Sequence, residues 1–165
     1  MRLIATATVL VLMLSGCDDT TGQKPKTQVT GSVYHMMAHY LEPAADKIWG
    51  SAGFVISEDG EVDLQPTTDD GWFAVEHAAI VVAEGGNLLM LDGYAADQAD
   101  WAEYAQGLTR AALKARDAAE QQDADALFAA GGEVYSVCRA CHNRYMINAA
   151  AVSYTHLRAH ETSEN

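Results

Sequence analysis

Residues 126–145 read ALFAAGGEVYSVCRACHNRY. Several apolar or thiol-bearing side chains in this stretch recur at steps of three, four or seven positions, which is the spacing of one face of an α-helix. They are Leu127, Val134, Cys138, Cys141 and Tyr145. The stretch therefore predicts a long amphipathic helix, opening near residues 123–125, with both cysteines on its apolar face.

Three earlier segments have the same helical period, and no strand-like segment of comparable length competes with them. They span about residues 31–49, 68–91 and 97–115. Their apolar faces comprise Val33, Met37, Leu41, Ala44 and Ile48 in the first, Trp72, Ile80 and Leu88 in the second, and Trp101, Tyr104, Leu108, Ala112 and Ala115 in the third. The fold class predicted is all-α.

Single residues refine these helices. Pro43 should kink the first helix because proline lacks an N–H and clashes with the preceding turn. The pair Gly85-Gly86 is expected to weaken the middle of the second helix. Asp97 or Asp100 is expected to cap the third helix.

The connection between the first two helices is about twenty residues long, which is enough for structure of its own. Residues 54–56 and 62–64 are apolar segments on either side of Asp59-Gly60, and they predict a small hairpin. The other connections are short, so consecutive helices should be antiparallel neighbours. This pattern predicts an up-down-up-down four-helix bundle with a long connection between helices 1 and 2.

The N-terminal residues predict a secreted lipoprotein. Arg2 precedes an apolar run that ends at residue 14 and is short for a membrane span. Residues 14–17, Leu-Ser-Gly-Cys, resemble a bacterial lipobox. We therefore expect a signal peptide over residues 1–16, lipidation of Cys17, a flexible tether over residues 17–30, and a periplasmic protein held to a membrane only by its lipid anchor.

The other end of the chain departs from the helical pattern. Residues 152–165 lose the apolar spacing, and residues 153–162, SYTHLRAHET, resemble an adapter read-through tail. We expect residues 31–151 to form the folded domain and residues 152–165 to be a non-native tail. His156 and His160 have the spacing of a helical metal pair, which on this interpretation is accidental.

Cys138-Arg139-Ala140-Cys141-His142 has the C-x-x-C-H pattern of c-type haem attachment. Positions i and i+3 of a helix share a face, so both thiols can add to the two vinyl groups on one edge of a porphyrin. His142, the next residue, would then supply the fifth iron ligand. The sequence predicts one covalently attached haem c.

Two other interpretations of the cysteines are weaker. A structural zinc site needs four ligands, and the sequence holds one Cys-Cys-His cluster without a second cysteine pair. A redox disulfide of the thioredoxin type is typical of a βαβ context at a helix N-terminus, whereas Cys138 and Cys141 lie within a C-terminal helical pattern.

Residues 126–130 and 134–145 resemble the last helix of the cytochrome c-prime family, the class II c-type cytochromes, in which the haem motif lies near the C-terminus. The resemblance implies a four-helix haem protein. One departure is Met146, where members often have an arginine, so Arg144 or Arg139 is expected to take that role beside the haem.

The resemblance also implies two functional types, which differ in what the first helix presents to the iron. An apolar residue leaves the iron five-coordinate and open to NO or CO, whereas a methionine thioether closes the site and makes an electron carrier. Met37 lies on the apolar stripe and is the candidate sixth ligand, with core filling as the alternative. Met36 and His39 are the other candidates, and an absent sixth ligand is also possible.

The remaining histidines receive structural interpretations. His35 and His39 are interpreted as a solvated pair, and His77 as a core or interface histidine rather than part of a haem pocket. The acidic residues form no cluster with a nucleophile, so no enzymatic activity is predicted.

The net charge of −13 disfavours binding to nucleic acid and favours a basic redox partner. The function predicted is single-electron transfer. The alternatives are gas binding at a five-coordinate haem and, from another class, a helical interaction module with zinc or a disulfide at Cys138 and Cys141. Homodimerisation stays open.

Overall fold

Four helices form the bundle in the part of the chain that the structure describes, as predicted. The computed structural model describes the backbone of residues 27–97 and 99–161 and the side chains of residues 27–97 and 99–146. Helix α1 is continuous through Val33–Met36, Met37–Leu41 and Glu42–Trp49. Helices α2, α3 and α4 span Asp69–Leu89, Asp100–Glu120 and Ala124–Glu161. The all-α four-helix bundle is therefore confirmed.

At the start of each of the last three helices, a polar side chain accepts a hydrogen bond from a backbone N–H of the first turn. Thr68 Oγ1 accepts a hydrogen bond from the Gly71 N–H at 3.1 Å. Asp97 Oδ1 accepts one from the Trp101 N–H at 3.0 Å, so Asp97 rather than Asp100 satisfies a first-turn amide of α3, from two positions before the N-cap residue Ala99. Asp123 Oδ1 accepts one from the Ala126 N–H at 2.9 Å. Each bond satisfies a backbone donor that has no partner within its own helix.

The middle of α1 is a π-helical turn over Met37–Leu41, directly before Glu42 and Pro43. The wider turn relieves the crowding that proline imposes on the preceding turn, and the kink expected at Pro43 stays a prediction. It also changes which side chains share a face. Met36 and Leu41 lie five positions apart, the π-helical spacing, and each is only 6% exposed. Met36 thus occupies the buried stripe, and Met37 is half-buried at its edge.

The connection between α1 and α2 contains the predicted hairpin. Strands β1 (Phe54–Ser57) and β2 (Gly60–Asp63) pair antiparallel, with Ser57 opposite Gly60. The two turn residues are therefore Glu58 and Asp59, not Asp59 and Gly60 as the sequence suggested. Gly60 has a φ of +123°, which only glycine adopts readily, at the first position of the returning strand.

The bundle core is built from alanines and a few larger aliphatic side chains. Helices α2 and α3 form the most extensive pair, followed by α3 and α4. Trp101 Nε1 donates to the Leu89 carbonyl at 2.7 Å, and Trp49 Nε1 donates to the Gly131 carbonyl at 3.0 Å. The largest fully buried side chains are Ile48, Val75, Val82, Leu127 and Val134.

The Gly85-Gly86 pair lies at a close helix contact, and α2 runs through it without a break. A Cβ on Gly85 would overlap Leu41 of α1, and a Cβ on Gly86 would lie 2.6 Å from the Ala105 carbonyl oxygen of α3. The loss of helix propensity at these two glycines is therefore balanced by the close approach of α1 and α3 on either side.

Replacing Gly86 with alanine should destabilise the protein by about 1–3 kcal/mol, because α3 must move away to admit the methyl group. Gly132→Ala is the matched control, since nothing lies within 4 Å of its Cβ position on the exposed side of α4. That variant should be neutral or more stable by up to about 1 kcal/mol. Chemical denaturation of samples with equal haem content measures both. Equal stability of the two variants would contradict the close contact.

Both ends of the chain carry predictions that stay untested. The signal peptide, Cys17 and most of the tether lie outside the described residues, although Val29 already packs against Gly93. The backbone of α4 continues to Glu161, past the domain end predicted at residue 151. The side chains of residues 152–165 lie outside the description, so the non-native tail stays a prediction. Among the described helices, none combines the length and apolar character needed to cross a membrane.

Candidate functional site

Cys138 and Cys141 lie on the buried side of α4, as the helical period predicted. Both are free and half-buried, and Cys138 packs against the bundle core. The fully buried Leu127 and Val134 lie below them on the same stripe. Both thiols therefore project from one face of α4, three positions apart.

Burial dominates the chemistry of the two thiols. It raises the pKa of the Cys138 thiol above its ordinary value. It also raises the pKa of the Cys141 thiol to about 11, with smaller effects from the charges of Cys138 and Asp97. Reactive redox dithiols instead have lowered pKa values. The arrangement thus gives no support to a thioredoxin-type disulfide.

His142 follows Cys141 on the exposed flank of the stripe. It lies one helical turn after Cys138, so the two project from neighbouring positions on α4. No hydrogen bond within the described part of the chain engages its imidazole. A ring nitrogen of His142 is consequently available as a ligand.

A hydrogen-bond cluster that the sequence did not reveal holds the motif segment against α3. Tyr145 Oη donates to Asp97 Oδ2 at 2.6 Å, while the other oxygen of Asp97 caps α3. The Tyr145 ring also packs edge-on against Trp101, with ring centroids 5.0 Å apart. The sequence placed Tyr145 on the buried stripe and Asp97 at a cap, but it carried no signal for their pairing across 48 positions.

The same cluster shifts the acidity of its two members in opposite directions. Burial, followed by the hydrogen bond to Asp97, raises the pKa of Tyr145 to about 12. The hydrogen bond from Tyr145 is the main cause that lowers the pKa of Asp97. At neutral pH the phenol is therefore the donor and the carboxylate the acceptor, and the bond is charge-assisted.

The two arginines proposed to compensate for Met146 differ in position. Arg144 lies 3.2 Å from Asp100, and this ion pair directs it toward the start of α3. Arg139 is exposed, and Met146 is 57% exposed. Which of the two arginines takes the role beside a bound group stays a prediction.

Helix α1 covers only part of α4 in the described structure. Its second half, Glu42–Trp49, packs on α4, where Trp49 contacts Gly131 and Tyr135. Its first half packs mainly on α2, where Leu41 and Tyr40 approach Gly85. The flank of α4 that carries His142 consequently lies beyond the region where α1 closes on α4.

The remaining candidate residues are distributed over α1 and α2. Met36 is buried, Met37 is half-buried against the core, and His35 and His39 are both exposed. His77 is exposed too, on the side of α2 that also presents Phe73 and Ile80. Placing His77 in the core was therefore wrong, and the interface interpretation of this residue stays a prediction.

The residues present fit a covalently held haem better than a zinc ion. Two thiols on one face, followed by an available imidazole, match the donor set that thioether attachment and axial ligation require. Zinc needs four ligands, and no group of three or more histidine, cysteine, aspartate or glutamate side chains converges within the described part of the chain.

Comparison with known proteins supports the same conclusion. The family model described as Cytochrome C' matches residues 92–146, which include α3, the cluster around Asp97 and the C-x-x-C-H motif. No curated protein and no solved structure matches the chain. The family match confirms the resemblance found in the last helix and extends it to α3.

Proposed function

We propose, from the cytochrome c-prime (class II cytochrome) assignment supported by residues 92–146, that this chain is a c-type cytochrome that carries one covalent haem and transfers single electrons. The observation that carries the proposal is the placement of Cys138 and Cys141 on one half-buried face with His142 beside them. This face lies within the segment that the family model matches.

Each residue of the motif has a separate role. The Cys138 and Cys141 side chains would form thioether bonds, which retain the group in both charge states, and His142 would hold the iron from one side. The haem would supply a one-electron Fe³⁺/Fe²⁺ couple. The hydrogen bond between Tyr145 and Asp97 would keep the motif segment packed against α3. The side chains of the two cysteines and of His142 would thereby hold their orientation.

Electron transfer is proposed ahead of gas binding because Met37 on the first helix offers a thioether as a candidate sixth ligand. Tyr40 and Leu41 contact α2 at Gly85, whereas Trp49 contacts α4. Trp49 follows the buried Ile48 by one position, and Met37 follows the buried Met36 in the same way. Met37 is half-buried against the core, and we propose its thioether as the sixth ligand.

Visible spectra of the oxidised and reduced full-length protein test this function. A six-coordinate low-spin spectrum that is unchanged by CO is expected of an electron carrier. A high-spin spectrum with CO uptake would instead establish the gas-binding alternative. Absence of a Soret band would refute haem binding and would favour the helical interaction module with zinc or a disulfide at Cys138 and Cys141.

We also propose a periplasmic location with a lipid anchor at Cys17, supported by the lipobox at residues 14–17. Metabolic palmitate labelling in a Gram-negative host should mark the wild type and leave Cys17→Ser unlabelled. Cys138→Ser is the matched control and should retain the label. Label on the Cys17→Ser variant would contradict the anchor.

The proposed partner is a basic redox protein. The net charge of −13 favours encounter with a positive surface and opposes approach to nucleic acid. The exposed hairpin contributes to this field, since its charged residues, Glu58, Asp59, Glu61 and Asp63, are all acidic. Electron transfer to such a partner should therefore slow as salt screens the attraction.

A further inference from the structure

His35 and His39 form a pair of adjacent imidazoles on the outside of α1. They are four positions apart, and their ring centroids are separated by 4.6 Å with the ring planes tilted by 45°. Both residues are exposed, whereas Met36 and Leu41 of the same helix are buried. The two rings thus meet in solvent, away from the bundle core.

The backbone beneath the pair is well defined. The His35 N–H donates to Ser32 Oγ at 3.2 Å, which caps the first turn of α1. Gly31 leaves room for the imidazole, because a Cβ at that position would lie 3.2 Å from the His35 ring. The π-helical turn that begins at Met37 includes His39, and such turns occur frequently at functional sites.

The ring nitrogens of both residues are available. Within the described residues, neither imidazole makes a hydrogen bond or an ion pair, and the ring contact that each makes is with the other. Metal-binding histidines use such a nitrogen at about 2.0–2.1 Å from the ion. Rotation of the exposed side chains is sufficient to direct one nitrogen from each ring to a common point.

We propose that His35 and His39 bind a divalent transition-metal cation, separately from the Cys138–His142 site. Two neutral imidazoles suit Cu²⁺, Zn²⁺ and Ni²⁺, and Cu²⁺ binds most tightly to a given nitrogen site. Water completes the coordination, since no third histidine, cysteine or carboxylate converges on the pair in the described part of the chain. The net charge of −13 raises the local concentration of cations.

Cu²⁺ titration of the haem-loaded, full-length protein tests the proposal. Every protein in the titration also carries His156→Gln and His160→Gln, and the protein with these two changes alone is called the background protein. His156 and His160 have the same spacing as His35 and His39 and would otherwise compete for Cu²⁺. Binding is followed by equilibrium dialysis and by electron paramagnetic resonance, in which nitrogen hyperfine splitting reports imidazole ligands. Removing a group that only hydrogen-bonds to a metal ligand already costs about 10–100-fold in affinity. His35→Gln and His39→Gln each remove a proposed ligand, so each should weaken binding by at least about tenfold.

His77→Gln is the matched control, since His77 is an exposed helical histidine without such a neighbour in the described structure. It should bind Cu²⁺ as the background protein does. Unchanged affinity in either His35→Gln or His39→Gln would overturn the proposal. A haem spectrum that changes with His39→Gln would overturn it as well, because His39 would then be an iron ligand. An unchanged haem spectrum together with weaker copper binding in both variants would establish the site.

Discussion

Replacing Cys138 and Cys141 together with serine should abolish covalent haem attachment. Both thioether bonds require a thiol sulfur, and the described chain contains no other cysteine to replace them. A denaturing gel stained for haem peroxidase activity should show a strong band for the wild type and none for the double variant. Each single variant should retain haem through one bond, with a shifted pyridine haemochrome band.

Ala140→Ser is the matched control for this experiment. Ala140 lies between the two cysteines and is exposed, and its identity is not fixed by the attachment pattern. The variant should therefore carry haem at the wild-type level. Covalent haem on the double cysteine variant would refute the site, and one bound zinc per wild-type chain in place of haem would establish the zinc alternative.

Replacing Met37 with alanine should convert a six-coordinate low-spin haem protein into a five-coordinate one that takes up CO. The thioether that would close the sixth position is lost, and the reduction potential should fall with it. Visible spectra under CO and a potentiometric titration measure the two effects. Replacing His142 should damage the site whichever residue is the sixth ligand.

Met36→Ala is the control that separates ligation from packing. Met36 is 6% exposed within the core, so its truncation should cost about 2–5 kcal/mol of stability without changing the spin state. A spectral change in Met36→Ala alone would make Met36 the ligand. A low-spin spectrum that survives Met37→Ala but is lost with His39→Ala would make the protein a bis-histidine carrier. A wild type that is already high-spin would refute Met37 ligation and favour gas binding.

Much of the fold could be predicted because its determinants are local. The helical period, the caps at Thr68 and Asp97 and the hairpin each depend on residues within a few positions of one another. The turn of the hairpin was misplaced by one residue, since the strand register, and not the glycine alone, decides which residues form the turn. Prediction of the haem motif needed only the spacing of Cys138, Cys141 and His142.

What the sequence by itself determined is the helical class, the four-helix order and the placing of the C-x-x-C-H pattern on one helix, because periodicity and spacing within one helix are sufficient for them. Only the tertiary structure decided that Gly85 and Gly86 admit neighbouring helices, that the π-helical turn buries Met36 ahead of Met37, and that Tyr145 docks on Asp97. Each of these depends on the contact distance, backbone hydrogen-bond pattern or partner position in the packed bundle. The contacts of Gly85, Gly86 and Tyr145 join residues that are far apart in the chain, so no local pattern in the sequence reports them.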